Sequence, residues 1–168
     1  VSEREGWRQV YLVSREGEAV QKVTGGDYDV IRALKIDEAN QWLYFIASPH
    51  NATQRYLYRV GLDGKNLIRL SPAEQIGSHS YSISPDAKWA AHTFSSFSFP
   101  PISSLIKLPS HEIVRTLEEN QALRDNLAKL QRPKTEFLQA MALSRRLPGL
   151  LDRIKALEAR IRELEASQ

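Results

Sequence analysis

The sequence predicts a mainly β chain: about two and a half four-stranded β-propeller blades (an incomplete propeller), then α-helices with a short C-terminal coiled-coil segment. Three observations lead there. Residue types recur 47 positions apart: Tyr58 falls on Tyr11, Val60 on Val13, Gly64 on Gly17, Arg69 on Lys22, Ile83 on Ile36 and Trp89 on Trp42. A strand-rich repeat of about 40–50 residues is the pattern of propeller blades, and a closed ring needs roughly 4–8 of them. Between the repeats lie short alternating runs bounded by turn residues, as hairpins require. The last part of the chain changes to apolar steps of four and three, a heptad seam.

The first unit is the partial one. Residues 9–13 alternate around Val10 and Leu12, residues 19–23 do likewise, and Arg15-Glu16-Gly17-Glu18 between them is turn chemistry with a glycine. Gly25-Gly26-Asp27 leads onward. The second unit is complete: an inner strand over 30–36, a polar turn at Asp37-Glu38-Ala39-Asn40, and an apolar run over 42–47 suited to burial on both faces. An alternating strand over 55–62 then ends at Asp63-Gly64, a strong hairpin signal, and an outer strand covers 67–70. The third unit repeats this with 80–84, the turn Pro85-Asp86-Ala87-Lys88, a buried strand over 89–95, a third over 103–108 and an outer one over 112–117. Pro100-Pro101 sits between strands, where a missing N–H does no harm.

From Thr116 the pattern turns helical. Thr116 and Glu119 have capping-box spacing, and Leu123, Leu127 and Leu130 follow at helical intervals, which predicts a helix over 118–131 ended by Pro133. Residues 134–139 read as strand or linker. In 147–168, Leu150, Ile154, Leu157, Ile161 and Leu164 form the seam, with Arg153 and Arg160 at g and Glu158 and Glu165 at e. The pattern Arg-Ile-x-x-Leu-Glu occurs at 153–158 and again at 160–165, an arrangement that resembles a trimer-favouring coiled-coil motif. These five residues are the candidate oligomerisation site, with a trimer expected over a dimer. The expected domains are residues 1–117 for the blades, 118–146 for helix and linker, and 147–168 for the coiled coil.

Composition narrows the function classes. With 42% hydrophobic and 26% charged residues, the chain is not compositionally disordered. A net charge of +3 over 23 basic and 20 acidic residues is a mixed surface without the one-sided basic patch of a nucleic-acid binder. There are no cysteines, so disulfides and thiolate metal sites are excluded. No apolar stretch reaches the roughly 18–20 residues of a membrane span. The chain begins at Val1 and its sole methionine is Met141, which leads to the expectation of a processed or truncated start, with location left open.

The repeat residues also carry a family likeness. Glu5-Gly6-Trp7-Arg8-Gln9-Val10-Tyr11-Leu12, Ala47-Ser48-Pro49 followed by Gln54-Arg55-Tyr56-Leu57-Tyr58-Arg59-Val60, and Gly77-Ser78-His79-Ser80-Tyr81-Ser82-Ile83-Ser84-Pro85-Asp86 stand in order. Ser95-Ser96-Phe97 before Pro100-Pro101, and Val114-Arg115-Thr116-Leu117-Glu118-Glu119-Asn120, complete the set. Over about residues 1–137 the chain resembles the C-terminal blades of the N-terminal propeller of the dipeptidyl peptidase IV family, prolyl oligopeptidase-like serine peptidases. The resemblance implies an eight-bladed propeller that gates peptide entry, ahead of an α/β-hydrolase domain that supplies the nucleophile. It also implies a location that in that family is often periplasmic, secreted or membrane-anchored. After about residue 139 the likeness ends; residues 147–165 resemble instead the helical tail of some trimeric bacterial acyltransferases.

Catalysis in that family needs a serine in Gly-x-Ser-x-Gly with Asp and His partners, and no such motif occurs here. Ser95, Ser96, Ser98, Ser103 and Ser104 lack flanking glycines and read as structural. The family resemblance implies a paired glutamate motif that anchors the substrate amino terminus; Glu118-Glu119 is the adjacent glutamate pair, yet its place at a helix start suits the macrodipole, so no substrate-anchoring role is carried over. His50, His79, His92 and His111 are scattered without ligand spacing, and His79 reads as a hydrogen-bonding residue in a blade connection. Trp7, Trp42 and Trp89 read as core packing; Asp63, Gly64 and Asp86 read as turn residues rather than a calcium loop. No catalytic residue, cofactor or metal is expected. The leading expectation is a non-catalytic propeller piece of a serine peptidase, whose partners would be a hydrolase domain and peptide substrates. The alternative is a trimerised β-rich interaction module.

Overall fold

The computed structural model describes residues 1–130 together with 149, 153, 157 and 158. The chain divides into two compact units, Val1–Arg124 and Asp125–Gln168.

The first unit is built from three antiparallel sheets. The chain enters through β1 (Tyr11–Val13) and β2 (Val20–Lys22), a two-stranded ribbon. β3 (Val30–Asp37), β4 (Trp42–Ala47), β5 (Tyr56–Gly61) and β6 (Ile68–Arg69) form a four-stranded meander in sequence order. β7 (Ser78–Ile83), β8 (Trp89–Ser95), β9 (Ile102–Lys107) and β10 (Ile113–Glu118) form a second one. Two consecutive four-stranded meanders beside a ribbon are consistent with partial propeller blades. The predicted bounds of 42–47 and 89–95 coincide with β4 and β8, and the other strands lie within two residues of their predicted ends.

The middle sheet carries the core because β4 buries both of its faces. Leu43, Phe45 and Ala47 project one way and join Val23, Val30, Tyr56, Tyr58 and Val60. Tyr44 and Ile46 project the other way and, with Leu57 of β5, join Tyr81, Ala90, Ile106 and Leu108 of the third sheet and its turns. Alternation along one strand therefore stacks three layers, ribbon on middle sheet on third sheet. Phe45 is fully buried and stacks on Tyr58 with ring centroids 5.7 Å apart. The Asp63-Gly64 turn closes β5 to β6, with the Gly61 N–H donating to the Lys65 carbonyl and Gly64 at φ 81°. A side chain on Gly64 would also meet the Lys22 carbonyl at 3.1 Å, so the turn lies against β2.

Three expectations need correction. The run 89–95 is buried on one face alone: Ala90 and His92 point inward, whereas Trp89 and Ala91 are exposed, because among the described residues no layer covers the outer face of the third sheet. For the same reason tryptophan is not uniformly core. Trp89 and Trp7 are exposed, and Trp42 packs partly buried beside the core with the Arg59 guanidinium 4.1 Å from its ring. The helix α1 runs Gln121–Leu130, not from 118. Thr116 does not cap it, since it is paired with Ser104 inside β10. Asn120 precedes the helix at φ 49°, accepts the first helical bond from the Arg124 N–H, and anchors its side-chain amide on the Pro101 carbonyl 2.6 Å away.

Candidate functional site

In a meander the turns alternate between the two ends of the sheet. The β4–β5 and β8–β9 turns and the β6–β7 crossing therefore emerge at one end, and two clefts form there. One, of about 500 Å³, is bordered by Thr53, Gln54, Gly77, Ser95 and Phe97. The other, of about 450 Å³, is bordered by Glu74, Gln75, Phe94, Phe99 and Ile102. Ile76 on the β6–β7 crossing lines both. Ile76 and Phe97 are strongly exposed here, Phe97 at 95%. Gly77 lets the crossing lie against β8: a Cβ there would stand 2.4 Å from the Ser95 carbonyl oxygen.

The serine-rich runs build this end rather than attack from it. Ser96 and Phe99 exchange backbone bonds in a tight turn, Ser98 N–H donates to Ser96 Oγ, and Thr93 Oγ1 pairs with Ser103 Oγ at 2.8 Å. Ser104 is buried in β9. Among the described residues no serine hydroxyl is hydrogen-bonded to an imidazole. Glu118 ends β10 and accepts the Asn120 N–H, so it shapes the entry to α1.

Histidine is where the sequence reading fell short. His50 is exposed on the β4–β5 connection, but the other three are gathered, not scattered. His79 on β7, His92 on β8 and His111 in the β9–β10 turn are all buried around Tyr81. The register causes it: Tyr81 is paired directly with His92, and His79 with Phe94, so alternate residues of the hairpin share the inward face. The reading of His79 as a hydrogen-bonding residue in a connection holds, because its Nε2 lies 2.9 Å from the Gln75 carbonyl on the β6–β7 crossing.

The bonds have a defined direction. A carbonyl only accepts, so His79 carries its proton on Nε2 and leaves Nδ1 as an acceptor. His92 Nε2–H therefore donates to His79 Nδ1 across 2.9 Å. A second line crosses between sheets. The Leu57 N–H on β5 donates to Ser71 Oγ at 2.7 Å, Ser71 Oγ lies 2.9 Å from the Tyr81 hydroxyl, and that hydroxyl lies 2.9 Å from His111 Nε2. The rings also stack, Tyr81 on His92 at 4.6 Å and His79 on His92 at 5.1 Å between centroids.

Burial pushes all three imidazoles toward the neutral form. His92 is lowered to about 3, first by burial and then by repulsion from His111 and His79. His79 is lowered by burial, against the pull of the Gln75 carbonyl, with His111 and Arg69 adding to the fall. His111 is lowered by burial, while its own backbone carbonyl and Glu74 oppose. Burial raises the Tyr81 hydroxyl well above the usual phenol range. Because His79 and His92 spend nitrogen positions on each other, the cluster is not a ligand set. Among the described residues no group of three or more His, Asp or Glu is arranged to hold a metal.

Of the predicted oligomerisation residues, Leu150, Ile154, Ile161 and Leu164 lie outside the described residues. Leu157 is helical and 62% exposed. No helix of the described residues is long and apolar enough to cross a membrane.

Comparison with known proteins places this architecture. The family model "Dipeptidyl peptidase IV (DPP IV) N-terminal region" matches residues 1–101, from the ribbon through β8. The dipeptidyl peptidase 4 of Trichophyton rubrum is 24% identical over 139 residues, covering 83% of this chain and 18% of that protein. The probable dipeptidyl peptidase 4 of Emericella nidulans is 26% identical over the same shares. The crystal structure of Porphyromonas gingivalis dipeptidyl peptidase 4 superposes with a TM-score of 0.68 at 27% identity, over 76% of this chain and 18% of that one. The chain thus spans about a fifth of the length of these relatives, 18% in each case. On the strength of a match that runs through most of its strands, this chain belongs to the dipeptidyl peptidase IV family, in the N-terminal propeller region.

Proposed function

We propose that this chain serves as a non-catalytic part of the propeller of a dipeptidyl peptidase IV-like serine peptidase, where it frames the passage of peptides toward a hydrolase domain. The observation that carries the reading is the family match over residues 1–101, laid on two consecutive four-stranded meanders. The chemistry agrees with it. The sequence contains no Gly-x-Ser-x-Gly elbow, and among the described residues no serine hydroxyl is hydrogen-bonded to an imidazole. The clefts at the crossing end, with Ile76 and Phe97 exposed beside serine hydroxyls, are the surface best suited to face a neighbouring domain or peptide.

The test is direct. Purified full chain is incubated with chromogenic Xaa-Pro and Xaa-Ala dipeptide substrates. Release at the level of buffer is expected. Turnover abolished by a serine-directed fluorophosphonate, with contaminating peptidase excluded, would overturn the non-catalytic reading.

A further inference from the structure

We propose that the buried His79–His92–His111 cluster is an acid-released latch: it holds the third sheet and the β6–β7 crossing against the middle sheet while its imidazoles are neutral, and lets go when they take up protons.

The geometry sets this up. The polar bonds of the junction run through Tyr81, which His111 supports, and through His79. Tyr81 reaches His111 on its own sheet and Ser71 beyond β6, while Ser71 reaches the Leu57 N–H of β5. His79 fixes the crossing through the Gln75 carbonyl. Backbone bonds beside them complete the seam: the Arg55 N–H donates to the Gly77 carbonyl and the His79 N–H to the Arg55 carbonyl.

Protonation conflicts with this arrangement. A proton on His79 Nδ1 would face the N–H of His92 across 2.9 Å, donor against donor. A proton on His111 Nε2 would reverse that line: the Tyr81 hydroxyl would have to accept from His111 and donate to Ser71 Oγ, whose own proton then loses its acceptor. The charged and titratable surroundings do not compensate. From β6, Arg69 lies 3.7 Å over the Tyr56 ring, donates to the Ser71 and Pro72 carbonyls, and opposes a charge on His79. From β5, Tyr56 lies 5.5 Å from the His79 ring and donates its hydroxyl to Gln54 Oε1. On β7, Tyr81 stays protonated. From β8 and β9 the neighbours are Phe94 and Ser104, neither ionisable. Glu74 on the crossing is the carboxylate that favours a charge, and it acts on His111.

The sign follows from burial. The folded pKa values lie below the ordinary imidazole value of 6.5. Stability from the neutral cluster is therefore complete above about pH 6.5 and is lost as pH falls toward the folded values, about 3 for His92. Each such imidazole raises the opening constant by up to about tenfold per pH unit below 6.5. Carboxylates held low in the fold, Glu5 and Asp86, act only at more acid pH, so the range from 7 to 5.5 isolates the histidines. The crossing released by opening carries Gly77 of one cleft, Glu74 and Gln75 of the other, and Ile76, which lines both, so acidification would reshape that end of the sheets.

Amide hydrogen exchange on the full chain tests the latch. Between pH 7 and pH 5.5, protection factors at Arg55, Leu57 and His79 are expected to fall at least tenfold, while that of Phe45 in the core of the middle sheet stays constant. His92→Phe keeps the ring and removes one proton site; its fall should be shallower by about tenfold. Protection factors at the three amides that do not change, or that fall in step with Phe45, would overturn the proposal. So would a His92→Phe profile superposing on the parent's. Should that variant fail to fold, the imidazole Cε1–H resonances of the parent decide: three of the four must hold the neutral shift at pH 5.5 for as long as native signals persist.

Discussion

The hydroxyl of Tyr81 lies 2.9 Å from Ser71 Oγ, so one side chain of the third sheet is bonded to the segment that closes the middle sheet. Both groups are buried. Two stacked layers are thus joined by a polar bond at a point where the rest of the contact is apolar, formed by Leu57, Ala90, Ile106 and Leu108.

Removing only the Tyr81 hydroxyl strands two partners at once. In Tyr81→Phe, Ser71 Oγ keeps the Leu57 N–H but loses its outlet, and His111 Nε2 loses its partner. A buried polar group left unmatched costs about 1–3 kcal/mol. Tyr81→Phe should therefore lose about that much in urea unfolding. Ser71→Ala should lose a similar amount, and the double variant less than the sum of the two, which a double-mutant cycle measures. Additive losses would mean that the pair is not coupled.

Phe45 tests the layered core. It is fully buried, contacts the ribbon side of the middle sheet, and stacks on Tyr58. Phe45→Ala should cost about 3–5 kcal/mol, the range for a buried aromatic removed from a packed core. Trp89→Ala on the open outer face should cost far less, because Trp89 is already 37% exposed. The two melting curves compared side by side give the result.

Gly77 tests the approach of the crossing to β8. Gly77→Ala would drive a methyl group to 2.4 Å from the Ser95 carbonyl and 2.8 Å from Phe94 Cε2. Overpacking of that kind costs about 1–3 kcal/mol. Gly25→Ala is the control. Its new methyl would meet only Lys22 Cε at 3.8 Å, an ordinary contact, so its melting temperature should barely move.

Much of this fold was legible from local pattern, and the reasons are physical. β4 reads as a run of apolar residues because both its faces meet a packed layer, and Asp63-Gly64 reads as a turn because glycine takes the positive φ that the hairpin demands. The start of α1 was misplaced because Thr116 and Glu119 have capping spacing, yet the sheet claims Thr116 first: pairing with Ser104 outweighs a local cap. Trp89 was misread because a repeat tells which residues would be covered in a ring, not which are covered here. The histidine cluster left no spacing motif, since His79, His92 and His111 come from two strands and a turn. One signal was available. Aligning the hairpin through Pro85-Asp86-Ala87-Lys88 sets Tyr81 opposite His92 and brings His79 and His92 to the same face.

The heptad seam carries the last prediction. Leu157 is exposed on its helix, and Arg153 and Glu158, at the flanking g and e positions, are helical and exposed as well. A seam residue with its side chain in solvent is what an unpartnered coiled-coil strand presents. We propose that residues 147–168 self-associate in parallel, with Arg153 facing Glu158 of a neighbour and Arg160 facing Glu165. Exposed ion pairs contribute at most about 1 kcal/mol each, so burial of Leu150, Ile154, Leu157, Ile161 and Leu164 must dominate. Little more than two heptads is a short seam, and association should accordingly depend on concentration at micromolar protein. Sedimentation equilibrium of the full chain should show a trimer in preference to a dimer, and Ile154→Asn combined with Ile161→Asn should return it to monomer. Equal molecular mass for the parent and the double variant would show that the stripe is no interface.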